Sequence, residues 1–479
     1  MASIKKNFIY NLLYEILILL LPLITVPYVS RVLGVEGIGI YSYTYSVVYY
    51  FMIFSMIGVK NYGNRTVAKV RDNKELLSKN FFSIYYIQLC MSLLMIIFYV
   101  AYILIFLKDY KLIATVQIIY LFSCMFDINW FFFGLEKFKL TVTRNIILKI
   151  ISLLLIFVFV NDKSDLLEYT MILSLSALFS QLFLFTKLKK EIKFVKIKFI
   201  DVREKIKPCL VLFIPTIAVS LYKVMDKIML GNMINASEVG YYEQAEKIIQ
   251  IVVSISAALA TIMLPRMSNL LAKGNIETVK KYINKSIKFT MFLAFPMSIG
   301  LLSISSEFIP IFLGQEFTKS SLILNLLAIT IPILSFANVI RSQYLIPTEQ
   351  DRHFIISVIG GAIVNLIANI ILIPVLQSVG AAIGTILAEL FVMIYQLVAI
   401  RKKLPIFKYI KDIVPFLINS IIMFFVIGLV NYLDISQLYS FILKICVGVL
   451  IYLVLNIKYI NSIINLQVLK KIFRKKCLK

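Results

Sequence analysis

The sequence has little with which to build a metal or redox centre. It contains a single histidine, His353, and five cysteines, Cys90, Cys124, Cys209, Cys446 and Cys477, which are odd in number and scattered. None of these stands at metal-ligand spacing, so neither a zinc site nor a disulfide framework is expected, and no cofactor is called for. Acidic residues number 25 against 50 Lys and Arg. Any polar stretch of domain size is missing as well. A glycosyltransferase needs a nucleotide-sugar site of that size, and a polysaccharide polymerase needs a large outer loop, so the sequence argues against an enzyme.

What is present is hydrocarbon. The 479 residues are 60% hydrophobic and 16% charged, with a mean hydropathy of +0.90, far more apolar surface than a soluble globule can bury. Apolar runs long enough to cross a bilayer as helices recur from end to end. They predict an all-α polytopic membrane protein of about fourteen transmembrane helices. The first run, residues 8–30, follows Lys5 and Lys6 without a small-residue cleavage site, so it reads as a retained span.

The excess of positive charge is distributed by side. With the N-terminus inside, the inner tails and loops hold 39 of the 50 Lys and Arg. That asymmetry places both termini in the cytoplasm. The basic residues are then read as a topology signal and a contact with anionic membrane lipids, not as a nucleic-acid surface. The most basic break, residues 187–207, carries nine basic and three acidic residues and divides the chain. The expected layout is an N-lobe over 1–186, a basic cytoplasmic linker over 187–207, a C-lobe over 208–400, and two further helices with a basic tail over 401–479.

A weak repeat straddles the linker. Ile38-Gly39-Ile40-Tyr41 and Val239-Gly240-Tyr241-Tyr242 each open an apolar run, and Arg65 and Arg266 follow the two glycines at the same spacing, with an offset of 201 throughout. Two pseudo-symmetric six-helix lobes, a common transporter plan, would produce it. The run before each repeat contains proline, Pro22 and Pro27 in the first half and Pro215 in the second, which are candidate hinges.

The stretch SLYKVMDKIMLG places Lys223, Asp226 and Lys227 within two turns of an otherwise apolar helix. Charge inside a membrane costs several kcal/mol, about 2.5–3.5 on insertion scales, so it faces water, a partner or a ligand. Asp226 can balance one lysine at a time, leaving a cation able to attract a diphosphate; Lys247, beside Glu243 and Glu246, could extend that field. Snorkelling to the interface is the bland alternative for these lysines. Glu15, Asp127 and Glu389 also fall inside apolar runs, where each could carry a coupling proton or cation, or simply pack. Tyr41, Tyr45 and Tyr49 recur at every fourth residue, with Ser42 and Ser46 alongside, a stripe suited to sugar rings or to helix packing.

SRVLGVEGIGIYSYTYSVVYYF and KNYGNRTVAKVRD resemble the N-terminal region of bacterial Wzx-type oligosaccharide flippases, of the multidrug, oligosaccharidyl-lipid and polysaccharide exporter superfamily. PTIAVSLYKVMDKIMLG, EVGYYEQAEKI, LPRMSNLLAKG and RSQYLIPTEQDRHF are similar to later landmarks of the same family. The resemblance implies two six-helix lobes with two further helices, and movement of undecaprenyl-diphosphate-linked oligosaccharide from the inner to the outer leaflet of the bacterial cytoplasmic membrane. It implies a cationic cavity lined by the first helices of each lobe, coupling to an H+ or Na+ gradient, and association with polysaccharide assembly machinery for capsule or O-antigen. Export of the peptidoglycan precursor lipid or of small drugs is the alternative cargo within the superfamily.

Overall fold

The computed structural model describes residues 2–463, with side chains from residue 21 to 461 apart from 214–215, 218–219, 221–223, 257–258 and 261–262. Every regular element among them is helical. Among the described residues eleven helices are long and apolar enough to cross a membrane, which makes the chain a polytopic all-helical membrane protein. Where the sequence predicts fourteen spans, residues 21–70 count here as one, and residues 199–272, which hold two more of the predicted spans, include side chains outside the described set.

The chain forms two compact units, one of residues 1–243 with 369–381, the other of 244–368 with 382–479. The division falls after Glu243, not within the basic linker. The elements in chain order are α1 (Ala2–Met56), α2 (Val59–Val70), α3 (Lys74–Ile105), α4 (Lys111–Met125), α5 (Asn129–Gly134), α6 (Phe138–Phe159), α7 (Leu166–Leu188), α8 (Phe199–Met233) and α9 (Ala236–Ala272). They continue with α10 (Ile276–Phe312), α11 (Ser320–Ala328), α12 (Thr330–Ile340), α13 (Asp351–Leu376), α14 (Ser378–Ile400), α15 (Ile406–Leu429), α16 (Gln437–Leu455) and α17 (Ile457–Ile463).

In the first unit α1 packs against α3, α4, α6 and α8. Pro22 and Pro27 stand inside α1, but its non-helical residue is Gly34, with φ 68° and ψ −176°. An L-residue with a side chain adopts that conformation only under strain, so the glycine sets the break. The core of this unit collects the one tryptophan, Trp130, with Phe81, Phe131 and Phe132, all essentially buried. Trp130 stacks on Phe81 at 5.6 Å, and its indole N–H donates to Gln88 Oε1 at 3.0 Å. A buried indole needs such an acceptor.

The basic linker is pinned at three points. Glu191 pairs with Lys137, the Lys193 N–H donates to Ser78 Oγ at 3.0 Å, and Lys79 pairs with Asp201 at 2.8 Å. Asp201 also accepts from the Lys198 N–H at 3.0 Å, capping the start of α8. Hydrogen bonds from the Lys79 ammonium and this N–H hold its carboxyl below the ordinary value. Between the pins Phe194 stands 84% exposed beside a row of lysines. Asp201→Asn is expected to release the segment, read as faster tryptic cleavage at Lys196, Lys198 and Arg203 than in the wild type; an unchanged cleavage rate would mean the other two pins suffice.

In the second unit α10 is the hub, packed by α12, α15 and α16. Phe292 lies 5.8 Å from the Phe416 ring, and its carbonyl accepts from the Tyr452 hydroxyl at 2.9 Å. Asp412 holds Lys288 at 3.0 Å and Asn284 at 2.8 Å. Lys444, with only 2% of its side chain exposed, pairs with Glu307. An apolar groove of about 430 Å3 runs beside that pair, lined by residues including Pro296, Gly300, Met423, Gly448 and Tyr452.

Candidate functional site

The first unit brings the two copies of the repeat together. A Cβ added to Gly39 would fall 1.8 Å from the Ala236 carbonyl oxygen, and one added to Gly240 would fall 2.2 Å from the Val35 carbonyl oxygen. Val35 and Ala236 are themselves separated by the repeat offset of 201. The start of α9 therefore crosses the post-Gly34 start of α1 in a reciprocal contact, each glycine on the partner's carbonyl, as a pseudo-two-fold axis requires. Only residues without a side chain permit backbones this close.

Next to the crossing, α8, α9, the last turns of α13 and the start of α14 are tied by buried polar groups. Asp226 accepts from the Tyr242 hydroxyl at 2.6 Å and from Asn369 Nδ2 at 2.5 Å. Lys227, one residue on, pairs with Glu243 at 2.8 Å with 13% and 12% of the two side chains exposed. Glu238 accepts from the Ser378 hydroxyl at 2.5 Å and from its N–H at 3.2 Å. Tyr43 donates to Asn232 Oδ1 at 2.6 Å. Buried groups of this kind are retained when satisfied, and each here has a partner in another helix or turn.

The tyrosine stripe faces the same region. Tyr41, Tyr45 and Tyr49 are half-buried; Tyr41 stacks on Tyr45 at 5.7 Å, and Tyr45 contacts Tyr49 at 6.1 Å. The Tyr41 and Tyr120 hydroxyls share a hydrogen bond of 2.9 Å, and Tyr169 closes edge-on over Tyr41 at 5.0 Å. The stripe thus packs on α4 and α7 along part of its length. Tyr45 lies within electrostatic reach of Lys227 and Glu243.

The remaining sequence candidates are dispersed. Asp127 is buried just after α4, where Asn129 binds it through Nδ2 at 2.6 Å. Glu389 is buried in α14 at 6% exposure. Lys247 is partly buried in α9. The side chains of Glu15, Lys223 and Pro215 lie outside the described residues. Tyr242 and Asn369 are partners of Asp226 that the sequence reading missed. The signal for Tyr242 was its place at the repeat, and Asn369 carried none beyond being an amide in an apolar run. Among the described residues no group of three His, Cys, Asp or Glu side chains could hold a metal ion.

Similarity to known proteins agrees with this plan. Residues 4–271 match the family described as Polysaccharide biosynthesis protein, and residues 212–371 match MatE. The chain is 25% identical over 404 residues to an Escherichia coli K12 protein named "Putative O-antigen transporter", covering 83% of this chain and 97% of that one. It is 33% identical over 167 residues, 35% of each chain, to the Haloferax volcanii "Probable low-salt glycan biosynthesis flippase Agl15". The solved inward closed conformation of the lipid II flippase MurJ has the same fold, with a TM-score of 0.79 over 96% of this chain and all of that one, at 18% identity.

The helical fold with its long apolar helices, the reciprocal crossing and the family matches define a multi-pass transporter of the multidrug, oligosaccharidyl-lipid and polysaccharide exporter plan. Within that plan the chain belongs to the polysaccharide biosynthesis protein family and is a flippase of the Wzx type.

Proposed function

We propose that the protein moves undecaprenyl-diphosphate-linked oligosaccharide repeat units from the inner to the outer leaflet of the bacterial cytoplasmic membrane. It does so by alternating access, with both termini in the cytoplasm. The observation that carries this reading is the Lys227–Glu243 pair, sunk two turns from the end of α8 beside a tyrosine stripe, in a chain of this family. A polar headgroup crossing hydrocarbon needs cations that can leave their counter-ions, hydroxyls and aromatic faces for the sugars, and lipid for its tail.

Reorientation requires the Gly39–Gly240 crossing to separate and reform. In this reading Asp226, held by a hydroxyl and an amide, is a carboxylate that would couple transport to H+ or Na+ entry, and Glu389, buried in its own unit, is another. Assembly enzymes for capsule or O-antigen would supply the cargo.

Lys227→Ala is expected to reduce translocation of lipid-linked glycan in a flippase-deficient strain by about tenfold or more, while Lys227→Arg keeps most of it. Equal transport by the alanine variant at matched membrane levels would overturn the role of the pair. Reconstituted wild-type protein moving peptidoglycan precursor or cationic drugs, but not diphosphate-linked oligosaccharide, would overturn the cargo.

A further inference from the structure

A second cation of the first unit stands at the start of α2. Lys60 is the second residue of α2. Its side chain is 63% exposed, and its ammonium lies 3.5 Å from Asp127 Oδ2, a carboxylate only 10% exposed. The two ends of this pair are built differently. Asp127 Oδ1 is fixed by the Asn129 N–H at 3.2 Å and by Asn129 Nδ2 at 2.6 Å. Asn129 in turn is fixed by Arg144 Nη2, donating to its Oδ1 at 3.0 Å, and donates to Gln181 Oε1 at 3.0 Å. Arg144 is 4% exposed and also donates to the Ser180 carbonyl at 2.8 Å. The carboxylate is therefore clamped from the start of α5, from α6 and, through Gln181, from α7, while the lysine is free to swing.

Arg144 reaches the carboxylate through Asn129, whereas Lys60 meets it directly and is largely exposed. The lysine end of the pair is solvated, which keeps its worth below that of an enclosed pair, and a phosphate oxyanion offers the ammonium charge-assisted bonds in exchange. Tyr49, the last of the tyrosine stripe, is within electrostatic reach of the Lys60 ammonium, as Tyr45 is of Lys227. The stripe thus runs between two lysine–carboxylate pairs.

We propose that Lys60 is a second anion-gripping residue for the cargo, exchanging Asp127 for a phosphate oxyanion of the diphosphate, and that the Asn129–Arg144 clamp keeps Asp127 in place to receive it back when the cargo leaves. This rests on the cargo reading above and adds a station to it. The contrast with Lys227, whose pair is nearly buried, makes Lys60 the more easily displaced of the two and the first to meet an anion from solution.

The test is binding of undecaprenyl diphosphate, without sugar, to the purified full-length protein in lipid nanodiscs, with inorganic pyrophosphate as competitor. Lys60→Ala should weaken binding about tenfold and blunt the competition, and Lys60→Arg should stay within about twofold of wild type. Asp127→Asn removes the competing carboxylate and should tighten binding by about twofold to fivefold, an increase that a purely structural role for Asp127 would not produce. Wild-type binding of Lys60→Ala, or weaker binding by Asp127→Asn with the protein still folded by size exclusion, would overturn the proposal and leave Lys60 a topology-setting lysine. Failure of the wild type itself to bind the lipid would instead sink the cargo reading.

Discussion

Gly39→Ala is expected to cut lipid-linked glycan translocation by at least about tenfold while the protein still reaches the membrane, and Gly240→Ala is expected to match it. Each added methyl would sit 1.8 Å or 2.2 Å from a backbone carbonyl oxygen of the opposing repeat. Backbone cannot swing away as a side-chain tip can. Overpacking of this kind costs about 1–3 kcal/mol or more, enough to move an equilibrium between two conformations by tenfold or beyond. Because the two glycines serve one reciprocal contact, the double variant should transport no worse than the poorer single one, the signature of coupled sites. Gly428→Ala is the control, since a Cβ there meets nothing within 4 Å. Transport assayed in a flippase-deficient strain, with membrane levels matched by immunoblot, decides it; near-normal activity of Gly39→Ala would show that the crossing need not close.

Breaking the Lys444–Glu307 pair should produce the largest loss of stability in the second unit. Lys444 is almost fully enclosed in α16, and Glu307 in α10 is 15% exposed and also accepts from the Ser306 hydroxyl at 2.9 Å. Removing one partner of a buried pair strands the other charge, at a cost of about 3–5 kcal/mol. Glu307→Gln is therefore expected to lower the Tm of the detergent-solubilised protein by several degrees. The paired change Lys444→Met with Glu307→Leu should recover most of the loss, because it removes both desolvation penalties together. Thermal unfolding followed by fluorescence-detected size exclusion is the measurement, and a Glu307→Gln protein as stable as wild type would show that the lysine finds another acceptor.

The class of fold was open to reading because hydropathy alone excludes a soluble chain, and the repeat offset of 201 named both glycines of the crossing. Their direct contact was not readable: a repeat gives equivalence, not which equivalent surfaces meet. The partners of Asp226 show the same limit. Tyr242 is close in sequence, but Asn369 is 143 residues away, and nothing in an apolar run says which face of a helix looks at which neighbour. Lys60 and Arg144 were hidden for a different reason. Counting cations by loop treats all of them as solvated, whereas α6 already begins at Phe138 and encloses the Arg144 guanidinium among amides and a carbonyl. The tyrosine stripe was visible from its spacing, yet its packing on Tyr120 and Tyr169 depends on helices that spacing does not locate. The compact units divide after Glu243 because α8 packs on α1, α2 and α3, contacts that outweigh the composition break at the linker.

Read from the sequence, residues beyond 400 looked like an addition to a finished two-lobe plan. Their helices instead share α10 with the rest of their unit through Phe292, Asp412, Tyr452 and the enclosed Lys444. A chimera joined near Arg401, made to swap the last helices between related transporters, would thus separate matched surfaces unless α10 travelled with them. Natural recombination at that joint faces the same bar, so α10, α15 and α16 are expected to be inherited as a block.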